Sequence, residues 1–308
     1  MKVNVPATSG NLGPGFDVLG LALSLYNELS VTVMGPSGRR PSGRRPARRP
    51  PVIHIQGEGE RTLHRDSRNI IFKAIKKVFK EAGRSVPQLE LTCLNRIPLG
   101  RGLGSSAAAY ASGLLAANQL LGNKFKRDRI LLWASQFEGH PDDVVPAIEG
   151  GVRASFVLDH SIMNIKWPNP SLRMVVAIPD FELPTRKARK VLPKWVPLKD
   201  AVFNIAAVAV MREAFRRRHD WLRHILNDRL HEPYRSKLVP GFYRVKKAAL
   251  ASGAEGVILS GAGPTMLSFV KPSNAARVAR AMERAFKQVG VKSRTMNLGI
   301  AKQGAIVK

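Results

Sequence analysis

Residues 96–113 read RIPLGRGLGSSAAAYASG, a run whose residue types suit the binding of an anion. Gly100, Gly102 and Gly104 keep side chains off a turning backbone, so its N–H groups can approach a ligand closely. Ser105 and Ser106 then open an apolar helix, where free N–H groups and the positive end of the dipole favour a phosphate. The paired hydroxyls also suit a helix cap or a metal. The lysine of the GxxxxGK[ST] nucleotide loop is missing, and a tight strand-to-helix turn that serves packing alone also fits these glycines.

Other stretches carry polar groups with chemistry to offer. TSGNLGPGFD, residues 8–17, holds Asn11, whose amide suits a hydroxyl, and Asp17, whose carboxylate suits an ammonium group. Both residue types equally make Asx turns with their own backbone. Gly261-Ala262-Gly263-Pro264-Thr265 is a second glycine turn, between two strand-like runs, which an ordinary β-turn would satisfy. Asn69, after RDSR, reads as the cap of a helix.

The elements that must hold these residues follow from periodicity. KVNVPA, the turn-rich 8–17 and ELSVTVMG read as strand, motif and strand, and VIHIQGEG at 52–59 alternates again. Helical spacing runs over 69–83, strand pattern returns in LELTCLNRIP, and helices follow at 107–122 and 127–139. GGVRASFVL and LRMVVAIPD read as strands, AVFNIAAVAVMREAFRRR and HDWLRHIL as long helices, and GFYRVKKAALASG as another. GVILSGAGPTMLSFV is strand, turn and strand, and ARVARAMERAFKQVG with VKSRTMNLG closes as helix and strand. Strands and helices do not alternate strictly, so the class is α+β.

At 308 residues the chain is long enough for two domains, the second beginning near 155–175. Cys93 is the single cysteine, which excludes an intrachain disulfide and fits a reducing cytoplasm. MKVNVPATSG has no apolar stretch of signal-peptide type, and AVFNIAAVAVM is too short to span a bilayer, so no membrane association is expected. The formal charge of +28 makes attraction to nucleic acid or phosphorylated ligands physically plausible. Part of it is local: residues 36–51, PSGRRPSGRRPARRPP, form a near-tandem basic repeat with no large apolar residue. Such a segment cannot offset its ordering entropy, and it is expected to be a disordered insertion at a hairpin tip. Nucleic-acid binding is expected only through it, and no aromatic residues interleave for base stacking.

PATSGNLGPGFDVLGLAL, PLGRGLGSSAAA and LSGAGPTMLSF, in this order and separation, resemble the three motifs of the GHMP small-molecule kinases. The resemblance covers nearly the whole chain except 36–51. It implies a two-domain fold, with a ribosomal protein S5 domain 2-like ATP-binding domain over 1–160 and a ferredoxin-like domain over 161–308. EGHPDDVVPAIEGG, LPTRKARKVLP and HEPYRSKLVPGF resemble the branch that phosphorylates L-homoserine in threonine biosynthesis. A mevalonate-type kinase is the alternative, and an RNA-binding protein of S5-like fold a more distant one.

The resemblance also implies roles. ATP is expected against Asn69, Pro98, Leu99, Gly100, Arg101, Gly102, Leu103, Gly104, Ser105, Ser106, Gly261, Gly263 and Thr265. Mg²⁺ is expected at Ser106 and Glu138. L-homoserine is expected against Asn11, Asp17, His140, Arg189 and Arg235, a guanidinium fork suiting its carboxylate. His140 and Asp143 are the catalytic candidates. The related pattern usually has asparagine where Asp143 stands, and an aspartate there suits a base or demands a cation to offset its charge. A homodimer is implied as well.

Overall fold

The computed structural model describes residues 1–34 and 50–308, so the basic insertion lies outside the described residues apart from Pro50 and Pro51. A seven-stranded sheet is built from β1 (Lys2–Gly10), β2 (Leu19–Val33), β3 (Val52–Gly57), β4 (Leu89–Asn95), β5 (Val152–Leu158), β6 (Ser161–Trp167) and β11 (Ile306–Val307). β2 is long enough to do two jobs: its first residues pair with β5 and its last with β4. β4 lies between β2 and β3 and runs parallel to β3. The direct pairing of β2 with β3 expected on either side of the insertion is therefore not formed, because β4 fills the place beside β2.

Four helices follow the pattern of the sequence: α1 (Ile70–Glu81), α2 (Ser105–Leu120), α3 (Arg127–Glu138) and the short α4 (Val144–Glu149). α1 buries Ile71, Ala74, Ile75, Val78 and Phe79, one stripe at helical spacing, against α2. α2 is apolar on most of its circumference because β1, α1, α3 and α4 all pack on it.

The second sheet, order β10-β7-β9-β8, comprises β7 (Arg173–Pro179), β8 (Ala254–Leu259), β9 (Met266–Val270) and β10 (Ser293–Leu298). β6 still belongs to the first sheet, so the change of sheet falls between Trp167 and Arg173. β7 reads as an unbroken apolar run because both its faces are buried. Met174, Val176 and Ile178 join the core shared with the first sheet, while Val175 and Ala177 join the core under α9 (Phe242–Ala251) and α10 (Ala275–Lys287).

Between β7 and β8 lie α5 (Thr185–Lys190), α6 (Leu198–Arg216), α7 (Leu222–Ile225) and α8 (Glu232–Arg235). The second long helix expected over 219–226 is instead a 3₁₀ turn, His219–Trp221, followed by the single turn α7. This break lets Leu222 and Leu226 both pack onto β8 at Gly256, and both are fully buried. No helix of the described residues is long and apolar enough to cross a membrane.

Candidate active site

A cleft opens between the start of α2, the loop after β1 and the α5 segment. The glycine loop makes its floor. Gly100, Gly102 and Gly104 have φ of +60°, +72° and +68°, a region that penalises any side chain. Space is as strict as conformation: a Cβ on Gly104 would stand 1.8 Å from Thr8 Oγ1, and one on Gly102 would stand 2.1 Å from the Ser260 carbonyl oxygen. α2 begins without a side-chain cap, and Ser105 and Ser106 line the cleft, so the dipole's positive end is left for a ligand.

Pro98, Gly100, Arg101, Gly102, Leu103 and Gly104 line the cleft with these serines, whereas Leu99 does not. Arg101 donates from Nε to the Pro179 carbonyl at 2.8 Å, tying the loop to the second sheet. The second glycine turn braces this floor from below. Ser260 Oγ donates to the Gly102 carbonyl at 2.6 Å and Gly261 N donates to the Gly10 carbonyl at 3.2 Å. Ala262 reaches the cleft, while Gly261, Gly263 and the fully buried Thr265 stand behind it. Asn69 is a cap: its Oδ1 accepts from Ile71 N and its Nδ2 donates to the His64 carbonyl, so both ends of the amide are engaged away from the cleft.

At the start of α2 Ser106 Oγ donates to Glu138 Oε2 at 2.9 Å. Glu138 closes α3, and burial pushes its carboxyl above the ordinary range despite the serine hydrogen bond and the charge of His140. Two hard oxygens side by side at a helix start are a donor set that fits Mg²⁺.

A tight carboxylate group lies beside them. Asp142, buried, accepts from His140 Nδ1 with one oxygen and from Asn11 N at 2.9 Å with the other. Burial alone would lower the His140 imidazole, but the Asp142 carboxylate, with Asp143 and Asp17 nearby, outweighs it and holds the pKa up to about 9. Asp143 accepts from Thr8 Oγ1 at 2.6 Å, and burial followed by the charge of Asp142 pushes its carboxyl upward.

The loop after β1 is strained. Asn11, Leu12 and Asp17 have φ of +67°, +46° and +58°, and such backbone persists only where surrounding bonds over-determine it. Those bonds are present: Asn11 Oδ1 accepts from Asp17 N at 3.0 Å, the local turn chemistry, while Asn11 Nδ2 donates to the Gly261 carbonyl at 2.9 Å. Asp17 takes a two-pronged ion pair from Arg189 of α5, at 2.7 and 3.1 Å.

Arg235 differs from Arg189. It is 2% exposed, donates to the carbonyls of Ala188 and Gly261 and lies against His231 Nδ1, but it has no carboxylate partner among the described residues. Burial, then the charge of Arg189, pulls its pKa down to about 10, which leaves it a cation at neutral pH. Phe16 stacks on His231 and lies under both guanidiniums, at 5.6 Å from Arg189 and 5.2 Å from Arg235.

The residues expected at the acceptor, Asn11, Asp17, His140, Arg189 and Arg235, and the catalytic candidate Asp143 all line this one cleft. Sequence reading missed Thr8, Phe16, Asp142, Leu183, Thr185 and His231. Only Asp142 carries a signal that could have found it, since it doubles the carboxylate in HPDD.

Two family models match the chain: the GHMP kinases N terminal domain over residues 69–151 and the GHMP kinases C terminal domain over 211–288. A homoserine kinase from Carboxydothermus hydrogenoformans is 43% identical, over 99% of this chain and 95% of its own. One from Moorella thermoacetica is 42% identical over 99% of each. The crystal structure of homoserine kinase from Cytophaga hutchinsonii superposes with a TM-score of 0.87 at 30% identity, covering 100% of this chain and 97% of that one. A mevalonate kinase shares the fold alone, with a TM-score of 0.70 at 12% identity.

Proposed function

The chain belongs to the homoserine kinases of the GHMP kinase family, and from that membership we propose that it moves the γ-phosphoryl group of ATP to the side-chain hydroxyl of L-homoserine. The product, O-phospho-L-homoserine, leads towards threonine. The observation that carries the substrate choice is Arg235, a buried cation with no carboxylate partner among the described residues, lining the same cleft as Asp17. A buried unpaired charge is costly, so a site keeps one where a ligand completes it. An α-amino acid supplies both complements, a carboxylate for Arg235 and Arg189 and an ammonium for Asp17.

The uncapped start of α2, the glycine loop and Arg101 suit the phosphates of ATP. Ser106 and Glu138 would hold Mg²⁺, which when bound offsets phosphate charge. His140, kept cationic by Asp142, adds positive charge beside them. Asn11 fixes the loop that carries Asp17 and, since its Nδ2 has a second N–H beyond the bond to Gly261 and the residue lines the cleft, it also suits the acceptor hydroxyl. Asp143 suits two roles, taking the hydroxyl proton or fixing β1 through Thr8. Its buried carboxyl sits high enough to hold or release a proton near neutrality. Positioning and charge stabilisation carry most of the barrier reduction in phosphoryl transfer. The single cysteine fits a reducing cytoplasm.

Release of ADP measured with L-homoserine, mevalonate and galactose tests this reading. Turnover with homoserine at least a hundredfold above the other two is expected, and turnover with mevalonate but not homoserine would overturn it.

A further inference from the structure

His231 is fully buried at the start of α8, and both of its ring nitrogens are engaged. Nδ1 faces Arg235 Nη1 at 3.4 Å, and Nε2 stands 2.9 Å from the Gly13 carbonyl oxygen. A guanidinium can only donate, so Nδ1 accepts from it, and the ring proton sits on Nε2, which donates to Gly13. Phe16 stacks on the imidazole with centroids 5.2 Å apart, which limits rotation of the ring.

This bond completes the hold on one edge of Arg235. Nε donates to the Ala188 carbonyl at 3.2 Å, and Nη1 donates to the Gly261 carbonyl at 3.2 Å as well as to His231. The N–H groups of Nη2 have no partner among the described residues, and Arg235 lines the cleft. The same imidazole reaches the loop that carries Asp17. Gly13 stands in that loop at φ +72°, and from α6 Asn204 Nδ2 donates to the next carbonyl, Pro14, at 3.0 Å and to Asp228 Oδ1 at 2.7 Å. Asp228 Oδ2 in turn accepts from His231 N at 2.7 Å and Glu232 N at 2.6 Å, so the start of α8 is fixed to the same frame.

We propose that His231 is a positioning residue for the acceptor: it turns the Nη2 edge of Arg235 into the cleft and keeps that edge in register with Asp17. The site then selects an acceptor that carries its carboxylate and its ammonium on one carbon. The inference rests on the homoserine reading of the cleft. It goes beyond that reading by giving the spacing of the two charges to a residue that touches neither the acceptor nor ATP.

Steady-state kinetics of the full chain test it, beginning with the wild type, whose turnover of homoserine decides the underlying reading before any variant is made. His231→Leu, which removes both bonds, is expected to raise homoserine KM about 10- to 30-fold with kcat and ATP KM within about threefold. The inhibition constant of 3-aminopropan-1-ol, the same acceptor without its carboxylate, should move less than about twofold, because Asn204 and Asn11 still hold the loop of Asp17. His231→Asn sets an amide oxygen near the place of Nδ1 and should bring homoserine KM back to within about fivefold of the wild type. His231→Gln reaches instead towards the place of Nε2 and should recover less, with circular dichroism showing the fold kept in both amide variants. An unchanged homoserine KM in His231→Leu, an equal loss for 3-aminopropan-1-ol, or better recovery by His231→Gln than by His231→Asn would each overturn the assignment.

Discussion

The two walls of the cleft differ in charge. The wall built on the first sheet and its helices carries Glu138 and Asp143, with Asp142 buried behind them and Asp17 at its end; the wall from α5 and α8 carries Arg189 and Arg235. In a chain with 50 basic residues against 22 acidic ones, gathering four carboxylates in one place is the more unexpected arrangement. Burial raises the carboxyls of Glu138 and Asp143, and the Asp142 carboxylate keeps His140 cationic, whereas the basic wall is held by carbonyls and an aromatic ring. The difference teaches a division of labour under the proposed function: the acidic wall would tune protons and metal, and the basic wall would take the acceptor's carboxylate.

Substitutions on the two walls should separate these tasks. Glu138→Ala is expected to lower kcat by about 10²–10³-fold, with homoserine KM changed little, because it removes charge organisation at the phosphates. A raised homoserine KM at unchanged kcat would break the division. Arg235→Ala should raise homoserine KM by about 30- to 100-fold and leave ATP KM within about threefold, the effect of a lost charge-assisted pair. An unchanged KM would remove Arg235 from the acceptor site. Asn204→Ala strands the Pro14 carbonyl and Asp228, and should cost about 1–3 kcal/mol in denaturant unfolding with a severalfold rise in homoserine KM. Finally, replacing residues 36–49 by a short Gly-Ser link across the end of β4 should leave turnover within about twofold, since the link must cross only two strand spacings, about 10 Å. Loss of turnover would give the basic segment a share in one of the walls.

The sequence made the floor of the cleft legible because its constraints are local: positive φ at Gly102 and Gly104, and a helix starting at Ser105, leave a readable string. The helices over 70–81, 105–120 and 127–138 were legible for the same reason. What it hid was long-range. The insertion of β4 between β2 and β3 depends on pairing partners far along the chain, and no local pattern encodes it. Asn11 also braces the second glycine turn, a role no local pattern shows because its partner Gly261 lies 250 residues away. The break at 217–222 hid behind helical periodicity that the pull of Leu222 and Leu226 towards Gly256 overrides.

β7 has one more consequence. With Met174, Val176 and Ile178 in one core and Val175 and Ala177 in the other, neither core can dissolve without stripping the strand that walls its neighbour. The two halves of this kinase are thermodynamically a single cooperative unit and should melt in one transition. Local opening without loss of either core is expected instead where the Asp17–Arg189 pair, about a third exposed, is cheap to part.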